Sequence, residues 1–491
     1  MAIAEQELAT RPWRMLIAGD LVEAESGERF QVSNPSSGES LASVPLASRE
    51  DVNRAAAAAK AAAKAWWMAG PMARAGALRK LGVLLREHSE ELAFLDSVNG
   101  GNPIRAMRVD LMAAAGRCDD VASLLLELKG QTIPASTPND LHYTVREPFG
   151  VVGVIMPFNH PALFTMQIIA PLGVGNTVVF KGSDQAPLSS LRIAELCAEV
   201  FPPGVVNILS GDGATTGSAI AAHPDIRLIN FTGSAPTARS IMEIGSRNAV
   251  KTYVMELGGK NPLIVCPDAD LERAVQAAVE GMNLTMCQGQ SCVSTSRVLL
   301  HSSIEAEFIE QFKAKLEALA PGNPVDTDTQ IGPLVTHRHR ERVLGYIEKG
   351  KAQGARLVTG GTPPAGTEFA NGAYLSPTLF DQVSPDMTIA QEEIFGPVVS
   401  SITWETEEQA MEIANGVSYG LTAAIWTRDI DRAHWFSTGL DAGRVFVNSH
   451  VRFFPRTPIG FRKDSGVGVD GGLMGLETFT QLKTVHLISN G

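Results

Sequence analysis

Apolar positions along this chain follow two different periods. Between 50 and 98, DVNRAAAAAKAAAKAWW is rich in alanine, the strongest helix former, and RAGALRKLGVLLREHSEELAFLDSV carries apolar residues at helical spacing. This region is predicted to be helical. From 149 the pattern changes to short β-branched apolar runs, VVGVIMP, NTVVFK, VVNILSG and IRLINFTGS, with helix-like segments SSLRIAELCAEVF and APTARSIMEIGSRN among them. A second series begins near 258: NPLIVC, SRVLLH and PVVSSITW read as strands, DLERAVQAAVEGMN and SIEAEFIEQFKAKLEALA as helices. Strands alternating with helices predict a parallel, doubly wound sheet. The chain therefore reads as α/β, with two such domains in tandem.

Two segments keep a different period. LHYTVRE at 141–147 and TFTQLKTVHLIS at 478–489 alternate apolar and polar residues, as strands with one wet face do. They are expected to form a small accessory sheet, an edge of the kind that pairs with another subunit. The most apolar window, 151–180, is broken by Pro157, Asn159, His160, Pro161, Pro171 and Asn176. A membrane helix needs about 20 mostly uninterrupted apolar residues. The window is read instead as strand, loop, helix and strand, and no membrane association is expected.

Composition narrows the functional classes. Lys plus Arg number 41 and Asp plus Glu 53, a net charge of −12, which argues against a nucleic-acid partner. Five cysteines, an odd count without a CxxC pair, suggest no disulfide framework. The N-terminal stretch has mixed charges and no long apolar core, unlike a secretory signal. A reducing, cytoplasmic location is expected.

Candidate chemistry sits at the strand ends. In INFTGSAPTAR a strand runs into Thr232, Gly233 and Ser234 before a helix, whose free N–H groups suit a pyrophosphate. In VVFKGSDQAP, Lys181 and Asp184 follow a buried strand, where both side chains suit ribose hydroxyls; a solvated strand end is the plainer reading. Cys118, Cys197 and Cys266 lie in apolar periodic segments and are assigned to the core; Cys287 is left open. Cys292, within QGQSCVSTSR, is surrounded by small polar residues and reads as an accessible thiol in a turn. Glu256 ends the apolar strand TYVMEL just before Leu257, Gly258 and Gly259, so partial desolvation should make it a stronger base. Asn159 in PFNHP offers a side-chain amide to an oxyanion, or simply forms a turn. EEIFGPV at 392–398 sets a carboxylate and an aromatic beside a Gly-Pro turn.

Taken in this order, PFNHP, KGSDQ, FTGS, MELGGKNP, GQSC and EEIFGPV resemble the aldehyde dehydrogenase superfamily from about residue 15 to the end. The resemblance implies Cys292 as nucleophile, Glu256 as general base, and Asn159 with the Cys292 backbone N–H as oxyanion hole. It implies NAD, with NADP possible, held by Lys181 and Asp184 at the adenosine ribose, Gly233 and Ser234 at the pyrophosphate, and Glu393 and Phe395 at the nicotinamide end, with Leu257 also binding the cofactor. No metal is implied. Matching substrate-tunnel positions are Phe158, His160, Phe164, Ser291, Val293 and Phe453. Two Rossmann-like domains are implied, a cofactor-binding one at 1–129 with 149–257 and a catalytic one at 258–454. An oligomerisation segment at 130–148 with 474–491 implies a homodimer or homotetramer.

Several positions depart from the family pattern. Asp184 stands where glutamate is common, Ala238 replaces a glycine, two extra residues fall within EGMNLTMCQ before the nucleophile, and Val469 takes an arginine position in SGVGVDGG. The phenylalanines favour aromatic or apolar aldehydes. An alternative is a carboxylate-bearing semialdehyde met by Arg452 or Arg456 in VRFFPR, unless both face solvent. A silent structural paralogue would be expected to lose Cys292 or Glu256, and a coenzyme A-acylating enzyme to lack Glu256.

Overall fold

The structure, a computed structural model, describes residues 5–452 and 454–488. The predicted strands and helices form where the pattern places them, and three sheets organise them. The first has eight strands in the order Asp20–Val22, Met15–Ile17, Val206–Leu209, Thr177–Lys181, Val151–Ile155, Ile226–Thr232, Thr252–Glu256 and Gly466–Val467. Its inner five are parallel, but the pairings at both edges are antiparallel. One edge departs from an all-parallel sheet for a local reason. Ala18 and Gly19 both take positive φ, 57° and 96°, and make a two-residue hairpin turn, which can only return the chain antiparallel.

The helices Arg49–Met68, Gly70–Glu87, Ser89–Gly100 and Ile104–Leu124 cover this sheet and share its core. The first begins with a capping box in which Ser48 and Asp51 exchange hydrogen bonds. Cys118 and Cys197 are wholly buried in this core.

The second sheet runs Arg356–Thr359, Thr378–Asp381, Val398–Trp404, Arg297–His301, Pro262–Val265, Thr422–Trp426 and Arg444–Val447, parallel except for the first pairing. Its strands are apolar on both faces, as helices on both sides require. In NPLIVC, Leu263 and Val265 enter one core cluster, Ile264 and Cys266 the other.

Thr480–Leu487 pairs antiparallel to Leu141–Pro148, with Thr132–Ile133 added beyond, while Thr478, included in the predicted strand, instead ends the helix Gly472–Thr478. Ser489, included in the predicted strand, lies outside the described residues. After the second sheet the chain returns to the first through Gly466–Val467, and Leu476 and Phe479 join the first core. Among the described residues, no helix is long and apolar enough to cross a membrane.

Candidate active site

In the first sheet, Val151–Ile155 lies between Thr177–Lys181 and Ile226–Thr232, so strand order reverses there. Open parallel sheets bind ligands at the carboxyl ends of strands beside such a reversal. Ile155 is in register with both Lys181 and Phe231, and Thr232 with Glu256. Hydrogen bonding therefore lines up along one rim the segments that the sequence singles out: PFNHP, KGSDQ, FTGS and MELGG.

The second sheet meets this rim with its amino-terminal edge. Pro262 and Arg297 are register partners, and the Cys292 loop runs into Arg297. Cys292 stands in a turn and is half-buried, as an accessible thiol should be. Its Sγ donates to Glu256 Oε1 at 3.1 Å. Burial raises the Glu256 carboxyl above its ordinary value, although the Cys292 hydrogen bond works the other way. Burial, reinforced by the Glu256 and Glu393 carboxylates, holds the Cys292 thiol well above its usual range. The resting pair is thus a neutral thiol against a desolvated carboxylate.

Packing around the thiol loop is tight. Asn261 Nδ2 donates to the carbonyls of Cys292, 2.8 Å, and Ser294, 2.9 Å, while its Oδ1 accepts from Thr422 N at 3.0 Å. A Cβ at Gly259 would lie 2.3 Å from the Cys292 carbonyl oxygen, and one at Gly258 2.4 Å from Glu393 Oε2. The double glycine is therefore a close-approach device. Just upstream, the EGMNLTMCQ stretch contains the short helix Leu284–Cys287, bounded by Asn283 and Gln288 at φ 56° and 53°. Cys287, left open by the sequence, is wholly buried at its end.

The cofactor candidates lie at or just beyond the carboxyl ends of the first sheet's strands, with Glu393 brought against Gly259 from the second. Lys181 is buried at its strand end, where burial lowers its ammonium pKa against the opposing pull of Asp184 and Asp212. Asp184 is exposed. Gly233 N donates to the Glu256 carbonyl at 3.1 Å, and Ser234 caps the helix Ala235–Ser246. Leu257 is held through its N–H to the Ser465 carbonyl, 2.9 Å. Glu393 Oε1 accepts from Gly259 N at 3.0 Å, and burial pushes its carboxyl up to about 7. A parallel-strand crevice with an open helix N-terminus, and a desolvated carboxylate as hydroxyl acceptor, fit a dinucleotide. Phe395 takes φ 60°, and its carbonyl accepts from His339 Nε2 at 2.7 Å.

Among the tunnel candidates, Phe158 packs edge-on to Phe395, ring centroids 5.8 Å apart, and Phe164 edge-on to His160, 6.0 Å. Ser291 and Val293 are buried beside Cys292, and Phe453 lies outside the described residues. Asn159 is buried, its backbone carbonyl held by Asn102 Nδ2 at 2.7 Å. The two arginines of VRFFPR are exposed; Arg456 Nε stands 3.6 Å from Asp120 and its Nη2 donates to Ser123.

Other residues of the site carry no local signal in the sequence. Arg117 and Gln167 hold Asp470, at 2.9 and 3.3 Å, and keep its carboxylate below the usual range despite burial. This pairing anchors the SGVGVDGG loop, for which Val469 offers no charge. The Arg444 guanidinium, also largely buried, acts electrostatically on both Glu256 and Cys292.

The aldehyde dehydrogenase family profile matches residues 21–485. The aldehyde dehydrogenase tropH of Talaromyces stipitatus is 42% identical over 470 residues, 94% of this chain and 91% of that protein. The crystal structure of PnpE from Pseudomonas sp. WBC-3 superposes with a TM-score of 0.94 at 38% identity, over 96% of this chain and 97% of that one. Betaine aldehyde dehydrogenase from Staphylococcus aureus, solved in complex with NAD+, gives a TM-score of 0.96 at 32% identity, over 99% and 97% of the two chains. The chain belongs to the aldehyde dehydrogenase family.

Proposed function

We propose that this protein oxidises an aldehyde to a carboxylic acid with NAD as the hydride acceptor. The observation that carries this reading is the 3.1 Å contact between the Cys292 thiol and the Glu256 carboxylate. The Cys292 thiol first gives up its proton to solvent, and the resulting thiolate sulfur attacks the carbonyl carbon to form a thiohemiacetal anion. Its oxyanion takes hydrogen bonds from the Asn159 side chain and the Cys292 backbone N–H, a type of contact worth roughly 3 kcal/mol. Bound NAD supplies the hydride acceptor. Cys292 then carries the acyl group as a thioester. Glu256 takes a proton from water, the resulting hydroxide attacks the thioester, and the acid leaves as the thiol is restored. Desolvation of Glu256 strengthens it for this task.

Lys181 and Asp184 would hold the adenosine ribose, Gly233 and Ser234 the pyrophosphate, Leu257 and Glu393 the nicotinamide ribose, and Phe395 would pack near the ring. The NAD+ complex of the Staphylococcus aureus relative supports NAD as the cofactor. Residues 1–129 with 149–257 then form the cofactor domain and 258–454 the catalytic one. The 130–148 and 474–491 segments build a homodimer or homotetramer, and the protein works in the cytoplasm. The substrate is an aromatic or medium-chain apolar aldehyde, received by Phe158, His160, Phe164, Ser291, Val293 and Phe453. Arg456, engaged with Asp120 and Ser123, gives a semialdehyde no anchor at that position.

The test is to follow cofactor reduction with benzaldehyde, hexanal and succinic semialdehyde, and to identify the product without coenzyme A. Acid formation, most efficient with the first two, is expected. No reduction with any aldehyde, or a strict need for coenzyme A, would overturn the reading.

A further inference from the structure

The PFNHP loop holds Asn159 by few bonds. Asn159 Oδ1 is buried and, among the described residues, has no hydrogen-bond partner, so no bond on that side fixes the rotation of the amide. Its pose is set through the backbone instead. Asn102 Nδ2 donates to the Asn159 carbonyl at 2.7 Å, and Ala162 N donates to Asp96 Oδ2 at 3.1 Å. Between these anchors lies His160, whose Nδ1 stands 2.6 Å from Asp110 Oδ2, on the helix Ile104–Leu124.

The same ring reaches across to the thiol segment. Its other neighbour is the thiol of Cys287, wholly buried at the end of the helix Leu284–Cys287. The Cys287 carbonyl accepts from Gln290 N at 2.8 Å and from Gln290 Nε2 at 3.2 Å, two residues before Cys292. Gln290 is pinned in turn, its Oε1 accepting from Val335 N at 3.0 Å. One imidazole therefore lies between the segment that carries the Asn159 amide and the segment that carries the Cys292 N–H. A buried carboxylate–imidazole pair does not repay its desolvation in stability, and an apolar side chain of that size would fill the space without that cost. What the pair adds is direction: the carboxylate fixes the ring, and the ring fixes the loop.

We infer that His160, held by Asp110, is a positioning residue that sets the Asn159 amide against the Cys292 N–H and so shapes the oxyanion hole. The inference rests on the dehydrogenase reading above and deepens it. His160 acts here through its neighbour in sequence. Oxyanion donors help only if they are in place before the charge develops, and a misplacement of about 1 Å can cost about a hundredfold. Loss of the ring should therefore slow attack on the aldehyde. Cofactor binding, assigned to Lys181, Gly233 and Glu393, should stay as it is.

The experiment is a double-mutant cycle. Single-turnover cofactor reduction with benzaldehyde is measured in the wild type, Asn159→Ala, His160→Phe and the double variant, beside NAD affinity from a fluorescence titration. His160→Phe should lower the reduction rate by about tenfold to a hundredfold with NAD affinity unchanged. His160→Gln, whose amide can still donate to Asp110, should recover part of that loss. In the Asn159→Ala background the same His160→Phe change should cost about threefold or less, because the donor it positions is gone. Asp110→Asn, which keeps the volume, is taken through the same cycle and should couple to Asn159→Ala in the same way, so that poor folding of His160→Phe would not spare the inference. An equal loss in both backgrounds, or none in either, overturns it and leaves the dehydrogenase reading intact. Failure of the wild type to reduce NAD with any aldehyde sinks that reading instead.

Discussion

Cys292 Sγ and Glu256 Oε1, 36 residues apart in sequence, meet at 3.1 Å because one precedes a strand of the second sheet and the other ends a strand of the first. The thiol is the nucleophile in our reading. Cys292→Ala should therefore lower kcat/KM by about ten-thousandfold or more, as removing a covalent nucleophile does. Cys287→Ala, altering a wholly buried residue, should still turn over. A steady-state assay on both folded variants decides; an active Cys292→Ala beside a dead Cys287→Ala would reverse the assignment.

Glu256→Gln keeps the shape and loses the base. It should give a burst of reduced cofactor followed by slow turnover, because acyl transfer to Cys292 proceeds and hydrolysis stalls. The pH dependence follows from the raised carboxyl. The active form is the carboxylate, so the hydrolytic rate rises as pH climbs through that raised value and is lost below it. The Gln variant should lack this limb. Stopped-flow traces across pH test both points, and absence of the burst would mean that Glu256 already acts on the thiol.

Asn261→Ala removes two donors to the thiol loop and one acceptor for Thr422 N, all in a buried setting. Leaving such groups unpaired costs about 3 kcal/mol. The thiol loop should also lose its fixed pose. Denaturant melts should show the destabilisation, and kcat should fall more than cofactor binding. A variant as stable and active as the parent would refute this bracing role.

Asp184 places a negative charge at the proposed ribose position, and it should disfavour the 2′-phosphate of NADP. NAD should lead in kcat/KM, and Asp184→Ala should narrow the gap. Equal efficiency with both cofactors in the parent protein would contradict this.

The sheet of Leu141–Pro148 and Thr480–Leu487 leaves Leu141, Leu482 and Leu487 exposed. Exposed apolar edges of this kind pair with other chains. Light scattering should find a dimer or tetramer, and Leu482→Lys should weaken it. A parent protein that is monomeric at micromolar concentration would remove the assembly.

What the sequence makes legible follows from locality. The strands ending at Ile155, Lys181 and Thr232 are mostly apolar and almost wholly buried, so their runs reveal them and the turn residues after them. Gly258 and Gly259 announce a close approach but not what approaches. Asn261 looks ordinary within MELGGKNP, since its partners lie at 292, 294 and 422. Arg117 and Asp470 are separated by 353 residues, and nothing near either one predicts their contact. The antiparallel edge at Ala18 and Gly19 hides in a hairpin too short to alter the hydrophobic pattern.

The seam between the two sheets also constrains how this chain can be recombined. Glu256 closes one sheet's last parallel strand, and six residues later Pro262 opens the first strand of the other sheet. A crossover with a homologue placed in this short bridge would inherit the base from one parent and the thiol from the other. The second sheet's cores would come from one parent and all of the first core but Leu476 and Phe479 from the other, yet the 3.1 Å contact would depend on two surfaces that had never been selected together. Chimeras joined there should thus express as folded proteins with impaired turnover, whereas junctions at the exposed hairpin of residues 18–19 should leave the chemistry whole.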